Sequence, residues 1–245
     1  MNFENQTVIV TGGTRGIGAG ISEAFLKQNA KVIATYANND EKANEFKDSI
    51  GDLSKNLFLD KFNVASANEC KSFFERIEES HRTVHILVNN SGIRKDNIIA
   101  SMEESSWDDV IDINLKGTFN MCQGAILNMM KNRYGRIINM SSIGGKLGLA
   151  GQSNYAASKA GQIALTKSIS KEVAKRKITV NCICPGFIET ELISDLPEDL
   201  VKQYKASIPL KRFGTVSEVA SAVMFLASEN AGYITGTTID ISGGL

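Results

Sequence analysis

An apolar run from Thr7 to Thr11 passes directly into Gly12-Gly13-Thr14-Arg15-Gly16-Ile17-Gly18. Helical periodicity follows to about Gln28, and a second β-type run spans Lys31 to Tyr36. Strand, glycine turn, helix and strand within about thirty residues form a βαβ unit, which points to a parallel sheet. Glycines in such a turn permit a tight bend and close backbone approach. The helix behind them offers unpaired N–H groups and the positive end of its dipole. Gly12, Gly16 and Gly18 therefore predict a site for the pyrophosphate of a dinucleotide.

The end of the second strand bears on which dinucleotide. A site preferring NAD places Asp or Glu there to accept from the ribose 2′-hydroxyl. Here Thr35-Tyr36-Ala37-Asn38-Asn39 supplies no carboxylate before Asp40. Arg15, inside the turn, can pair with a 2′-phosphate. Both features favour NADP(H).

The same alternation continues along the chain. A charged amphipathic helix is expected over Asn38 to Ile50 and a third strand over Leu57 to Phe62. Ser66 and Glu69 have the spacing of a capping box. A fourth strand covers Val84 to Asn89. Ser101 and Glu104 could cap a short turn ahead of one long helix, from about Ser105 to Asn132, which contains Asn114. Arg136 to Met140 is a fifth strand and Ile178 to Ile183 a sixth, ended by Pro185-Gly186. Thr215 and Glu218 cap a last helix to about Ser228, and Thr237 to Ile241 closes the sheet. With no linker, repeat or low-complexity tract, one doubly wound α/β domain over residues 1–245 is the expected organisation.

Between the fifth and sixth strands lies a glycine-rich loop and then a helix with Tyr155 and Lys159. A separation of four stacks those side chains on one helix face. An ammonium beside a phenol favours the phenolate, and a tyrosine so tuned can exchange a proton with an alcohol. Ser142, beyond the carboxyl end of the fifth strand, adds a hydroxyl that can hold the reacting oxygen. Alone, Tyr-x-x-x-Lys is a weak signal that reads first as an exposed helix face, so the argument needs the surrounding chain.

Composition narrows the alternatives. The 27 basic residues balance the 27 acidic ones, so there is no electrostatic case for nucleic acid or an anionic membrane. No apolar run is long enough to span a bilayer. The opening Met-Asn-Phe-Glu-Asn-Gln has neither the basic nor the apolar region of a secretion signal. The four cysteines are too sparse for a disulfide scaffold and read as buried thiols. His81 and His85 lack a second ligand at metal spacing and read as surface residues; no metal site is expected. These features describe a cytoplasmic globular protein.

Taken together, the glycine turn, Asn89-Asn90-Ser91-Gly92, Asn114, Ser142, Tyr155-x-x-x-Lys159 and Pro185-Gly186 resemble the short-chain dehydrogenase/reductase family in order and spacing over the whole length. Within that family the chain is most similar to the β-ketoacyl-acyl carrier protein reductases of bacterial fatty-acid synthesis. Asn-Asn-Ser-Gly-Ile-Arg-Lys-Asp-Asn, Gly-Gln-Ser-Asn-Tyr-Ala-Ala-Ser-Lys-Ala-Gly and Pro-Gly-Phe-Ile-Glu-Thr carry that likeness. Ser91 and Asn63 depart from it, standing where relatives usually carry Ala and Asp.

The resemblance implies a Rossmann-type fold, with a seven-stranded parallel sheet and helices on both faces. It also implies NADPH-dependent reduction of a 3-oxoacyl thioester. Tyr155 would protonate the carbonyl oxygen as hydride arrives, and Lys159 would tune Tyr155 and bond the nicotinamide ribose. Ser142 would orient the carbonyl, and Asn114 would hold a water of a proton relay. Thr14, Arg15, Ile17, Tyr36, Asn63, Val64 and Asn90 would line the adenosine half. Ile188 and Thr190 would contact the carboxamide and pyrophosphate, and residues 187–213 would form a substrate lid.

Arg133 and Arg176 would meet an acidic acyl carrier protein near the site mouth, although a cation near a helix C-terminus is favourable without any partner. A homotetramer is implied, and the small residues Ala156, Ala157, Ala160 and Gly161 would let another helix approach. Acetoacetyl-coenzyme A reductase, a reductase of another carbonyl substrate, and a nucleotide sensor without turnover are the alternatives.

Overall fold

The computed structural model describes residues 1–81, 83–191 and 197–245. Its centre is a parallel sheet of β1 (Thr7–Thr11), β2 (Lys31–Tyr36), β3 (Leu57–Lys61), β4 (Ile86–Asn89), β5 (Gly135–Met140), β6 (Ile178–Pro185) and β7 (Thr238–Ile241). The spatial order is 3-2-1-4-5-6-7. Around it lie α1 (Gly16–Leu26), α2 (Asp40–Ser49), α3 (Ala67–His81), α4 (Glu104–Ile111), α5 (Gly117–Asn132), α6 (Gly144–Leu147), α7 (Ser153–Val173), α8 (Glu198–Ser207) and α9 (Val216–Ala227). The order reverses between β1 and β4, which opens a crevice beyond the carboxyl ends of those strands.

Both faces of the sheet are covered, which explains its continuous apolar runs. Successive residues alternate between two cores. Val8, Val10, Val32, Ala34, Ile86 and Val88 pack with residues of α1 and α9. Ile9, Ile33, Leu87 and Ile137 pack with Phe73, Met121, Met129 and Val173 on the other face. α1 and α9 approach closely at Gly20, where an added Cβ would fall 2.1 Å from Val216 Cγ1. The Thr215 hydroxyl accepts from Glu218 N–H while the Glu218 carboxylate accepts from Thr215 N–H, completing the expected capping box.

Several local expectations change. The helix expected over Ser105 to Asn132 is divided into α4 and α5 by a widened π-turn, Asp112–Lys116. Helical periodicity continues through it, so the pattern of apolar residues does not reveal it. Glu103, without a side-chain cap, precedes α4 in place of a Ser101 cap. Glu69 bonds Asn63 N–H at 2.9 Å, not Ser66 N–H, so only half of that capping box forms. His85 is half-buried and accepts from Thr7 N–H at 3.0 Å, unlike the surface residue expected. The side chain of His81 lies outside the described residues. All four cysteines are buried and unbridged. No helix of the described residues is long and apolar enough to cross a membrane.

Candidate active site

β5 ends at Met140, and the chain turns through Ser141 and Ser142 into α6. Ser142 Oγ accepts from Gly144 N–H at 3.1 Å, which orients the hydroxyl. α6 lies tightly on α7: a Cβ on Gly145 would stand 2.8 Å from Lys159 Cβ and from Ala160 N. Ser142 and Tyr155 thereby converge on Gly144, where an added Cβ would be 3.4 Å from Ser142 Oγ and 3.7 Å from Tyr155 Cε1. Lys159 Nζ lies 5.6 Å from the centre of the Tyr155 ring. It donates to Met140 O at 2.7 Å and to Gln162 Oε1 at 3.1 Å.

Burial governs the electrostatics. It pushes the Tyr155 phenol above its usual value, opposed by the Ser142 hydroxyl and the Arg94 guanidinium and reinforced by Asp96 and Cys184. Burial also holds the Lys159 ammonium down at about 8. The lowering expected of Tyr155 is therefore not found: loss of solvent around the phenol dominates, and the cation that opposes it is Arg94 rather than Lys159. Arg94 is the cation that acts on the ring from outside. Its guanidinium stands 5.8 Å from the ring centre and is paired with Asp96, which Gln152 Nε2 also holds at 3.0 Å.

Asn114 sits in the π-turn and is fully buried. Its Oδ1 accepts from Ile93 N–H at 2.8 Å, and its Nδ2 donates to Ile93 O at 3.0 Å and Ser158 Oγ at 3.1 Å. These bonds fix the loop after β4 against α7. At Gly92 a Cβ would stand 3.3 Å from Asn114 Oδ1 and 3.5 Å from Lys159 Nζ, so any side chain there would crowd both groups.

The glycine turn has the close-approach geometry expected of a pyrophosphate cradle. Gly12 has φ +60°, and a Cβ on Gly18 would lie 2.1 Å from Gly12 O. Asn90 braces this turn, its Nδ2 donating to Thr11 O and Gly12 O, both at 3.1 Å. Arg15 is exposed at the start of α1, with Ile17 partly exposed and Thr14 buried behind it. Across the turn, Thr190 Cγ2 would be 3.9 Å from a Cβ on Gly16. The residues present fit a dinucleotide.

The adenosine end is more varied. Tyr36 donates its hydroxyl to Asp40 at 2.9 Å, and Lys61 holds the same carboxylate at 2.6 Å. Asp40, the first acidic residue after β2, is therefore already engaged. Asn63 is exposed, with its Oδ1 accepting from Ala65 N–H at 3.0 Å. The side chain of Val64 is buried against Gly117. Ile188 is also buried and forms a parallel bridge with Gly214. In the expected lid, α8 packs through Tyr204, whose ring stacks on Phe187 at 4.6 Å. Residues 192–196 of that segment lie outside the described residues.

Arg133 and Arg176 are placed differently from expectation. Both are exposed where β5 and β6 begin, and Arg133 donates to Lys175 O at 3.2 Å. Ser142 follows the opposite end of β5, so the two arginines do not flank this chain's own site mouth. Sequence reasoning missed Arg94, Asp96, Gln152, Ser158 and Gln162. Spacing held a partial signal: Gln162 lies three residues beyond Lys159 on the same helix face, and Gln152 immediately precedes α7, three residues before Tyr155.

The chain matches known proteins over nearly its whole length. A family profile described as Enoyl-(Acyl carrier protein) reductase matches residues 12–245. The chain is 44% identical over 241 residues to the 3-oxoacyl-[acyl-carrier-protein] reductase FabG of Staphylococcus epidermidis, covering 98% of this chain and 99% of the relative. It is 43% identical over 240 residues to that of Staphylococcus aureus, covering 98% of each chain. It is 43% identical over 245 residues to that of Escherichia coli, covering 100% of this chain and 99% of the relative.

Proposed function

The chain belongs to the short-chain dehydrogenase/reductase family of oxidoreductases, and from that membership we propose that it reduces a 3-oxoacyl thioester to the 3-hydroxyacyl thioester with NADPH, in fatty acid biosynthesis on an acyl carrier protein. The convergence of Ser142 and Tyr155 on Gly144, with Lys159 one helical turn further, carries this reading. A carbonyl oxygen gaining charge needs an aligned hydrogen-bond donor and a proton donor at one point. Ser142 orients the oxygen and Tyr155, kept protonated by burial, delivers the proton.

The bound nicotinamide nucleotide would supply the hydride. Gly12, Gly16, Gly18, Thr14, Ile17, Asn90 and Thr190 would hold its phosphates and ribose, with Tyr36, Asn63 and Val64 toward the adenine and Ile188 toward the carboxamide. Lys159 would bond the nicotinamide ribose, and Asn114 would anchor the turn beside it. NADPH over NADH is supported by exposed Arg15 and by the engagement of Asp40 with Tyr36 and Lys61. The domain is read as one unit over residues 1–245, in the cytoplasm.

A homotetramer is supported by an apolar surface groove lined by Leu115, Phe119, Gly161, Ala164 and Leu165, which a second copy would cover. In such an assembly Arg133 and Arg176 would serve a carrier protein at a neighbouring copy's site. Their distance from this chain's own mouth favours a second reading, acetoacetyl-coenzyme A reductase with the same catalytic residues. NADPH oxidation with acetoacetyl-acyl carrier protein and acetoacetyl-coenzyme A, side by side, separates the two. Higher kcat/KM on the carrier protein supports the first reading, and preference for the coenzyme A ester supports the second.

A further inference from the structure

Gln162 is fully buried on α7, one turn beyond Lys159. A primary amide taken out of water is costly unless its donors and acceptor are met. Here they are met by the elements that build the site. Oε1 accepts from Lys159 Nζ at 3.1 Å, and Nε2 donates to Asn114 O at 2.8 Å and to Thr118 Oγ1 at 2.7 Å. The amide can take only this orientation. Turned over, it would set an acceptor against the Asn114 carbonyl and a donor against the Lys159 ammonium.

We propose that Gln162 is a positioning residue of the reducing site, its amide clamping the Lys159 ammonium to the widened turn that carries Asn114. The clamp rests on the reading of Lys159 as a ligand of the cofactor ribose. An ammonium has three donors. Met140 O and Gln162 Oε1 take two, leaving the third for a ligand. Thr118 donates to the same Asn114 carbonyl at 2.7 Å, so the acceptor end of the clamp is held from two sides.

The surroundings of Lys159 make the clamp testable by pH. The titratable groups that face Lys159 are Tyr155 on its own helix and Cys182 and Cys184 from β6. Arg94 stands over the Tyr155 ring and pairs with Asp96. β5 contributes the neutral Met140 carbonyl and the π-turn the neutral Asn114. Gln162 Oε1 thus favours the charged amine in a setting where burial works against it.

The test compares wild type, Gln162→Met, Gln162→Leu and Gln162→Glu. NADPH affinity is read by nucleotide fluorescence across pH, and kcat/KM with acetoacetyl-coenzyme A is measured in parallel. The Met and Leu variants lose the acceptor, so the alkaline fall in NADPH affinity moves down by about one pH unit. The Glu variant places a carboxylate beside the ammonium, so the same fall moves up. Shifts of opposite sign support the clamp. Superimposed profiles, or a shift in one direction for all variants, overturn it. If Leu fails to fold, the Met and Glu pair decides the sign. The affinity profile needs no turnover, so a wild type inactive on thioesters would remove the substrate reading while leaving this test intact.

Discussion

Lys159 and Tyr155 stand one helical turn apart, with the ammonium 5.6 Å from the ring centre and bonded to Met140 O and Gln162 Oε1. The lysine is therefore fixed by the protein before it reaches any ligand. A preset donor loses little conformational freedom when substrate and cofactor arrive.

The two burial effects set a pH dependence. Tyr155 is pushed up and stays protonated through neutral pH, whereas Lys159 is held at about 8. The kcat/KM for reduction should accordingly fall above about pH 8 as the ammonium is lost. The sign for stability is opposite. An exposed lysine titrates at 10.5, so between about 8 and 10.5 the unfolded chain binds more protons and the wild type gains stability as pH rises. Urea unfolding of wild type and Lys159→Met on either side of pH 8 checks this; Lys159→Met should lack that gain.

The glycine cradle predicts a steric outcome. Gly18→Ala drives a Cβ to within 2.1 Å of the Gly12 carbonyl. Neither group is the end of a flexible side chain, so the turn must move. NADPH binding, followed by fluorescence titration, should weaken by at least tenfold, a loss of about 1.4 kcal/mol.

Cofactor choice should depend on Arg15. Arg15→Ala removes the cation that would meet the 2′-phosphate, and a charge-assisted contact is worth roughly 1.5–3 kcal/mol. The ratio of NADPH to NADH kcat/KM should drop by about tenfold or more, with the NADH value unchanged. An unchanged ratio would assign the choice elsewhere.

The cap of α9 is a stability device remote from the chemistry. Thr215→Ala leaves Glu218 N–H without its side-chain acceptor and should cost about 1 kcal/mol in denaturant unfolding. NADPH affinity should stay at the wild-type value.

Docking of a carrier can be read from Arg133 and Arg176. Replacing both with Glu should raise KM for acetoacetyl-acyl carrier protein and spare the coenzyme A ester. Equal loss on both substrates would contradict a docking role.

The strands were readable because residues on both faces of the sheet are buried, which leaves runs such as Thr7–Thr11 with no solvent-facing alternation. Tyr155 and Lys159 were readable from helical spacing. The π-turn was not, because helical periodicity continues through Asp112–Lys116, which differs in its hydrogen bonding. α6 was hidden in a glycine-rich loop whose composition predicts a turn. Gln162 reads from sequence as an ordinary polar helix position. Only the packing of α7 against the π-turn makes it an internal residue. Arg133 and Arg176 show another limit: which end of the sheet they occupy follows from topology, which residue type alone does not reveal.

The most direct test of the central claim measures NADPH oxidation with an acetoacetyl thioester by wild type and Tyr155→Phe, together with NADPH affinity. The account predicts turnover by wild type and a rate at least about 100-fold lower in Tyr155→Phe, with NADPH affinity retained. Undiminished turnover by Tyr155→Phe would contradict Tyr155 as the proton donor, and a wild type that binds NADPH yet reduces no 3-oxoacyl thioester would contradict the assigned reaction.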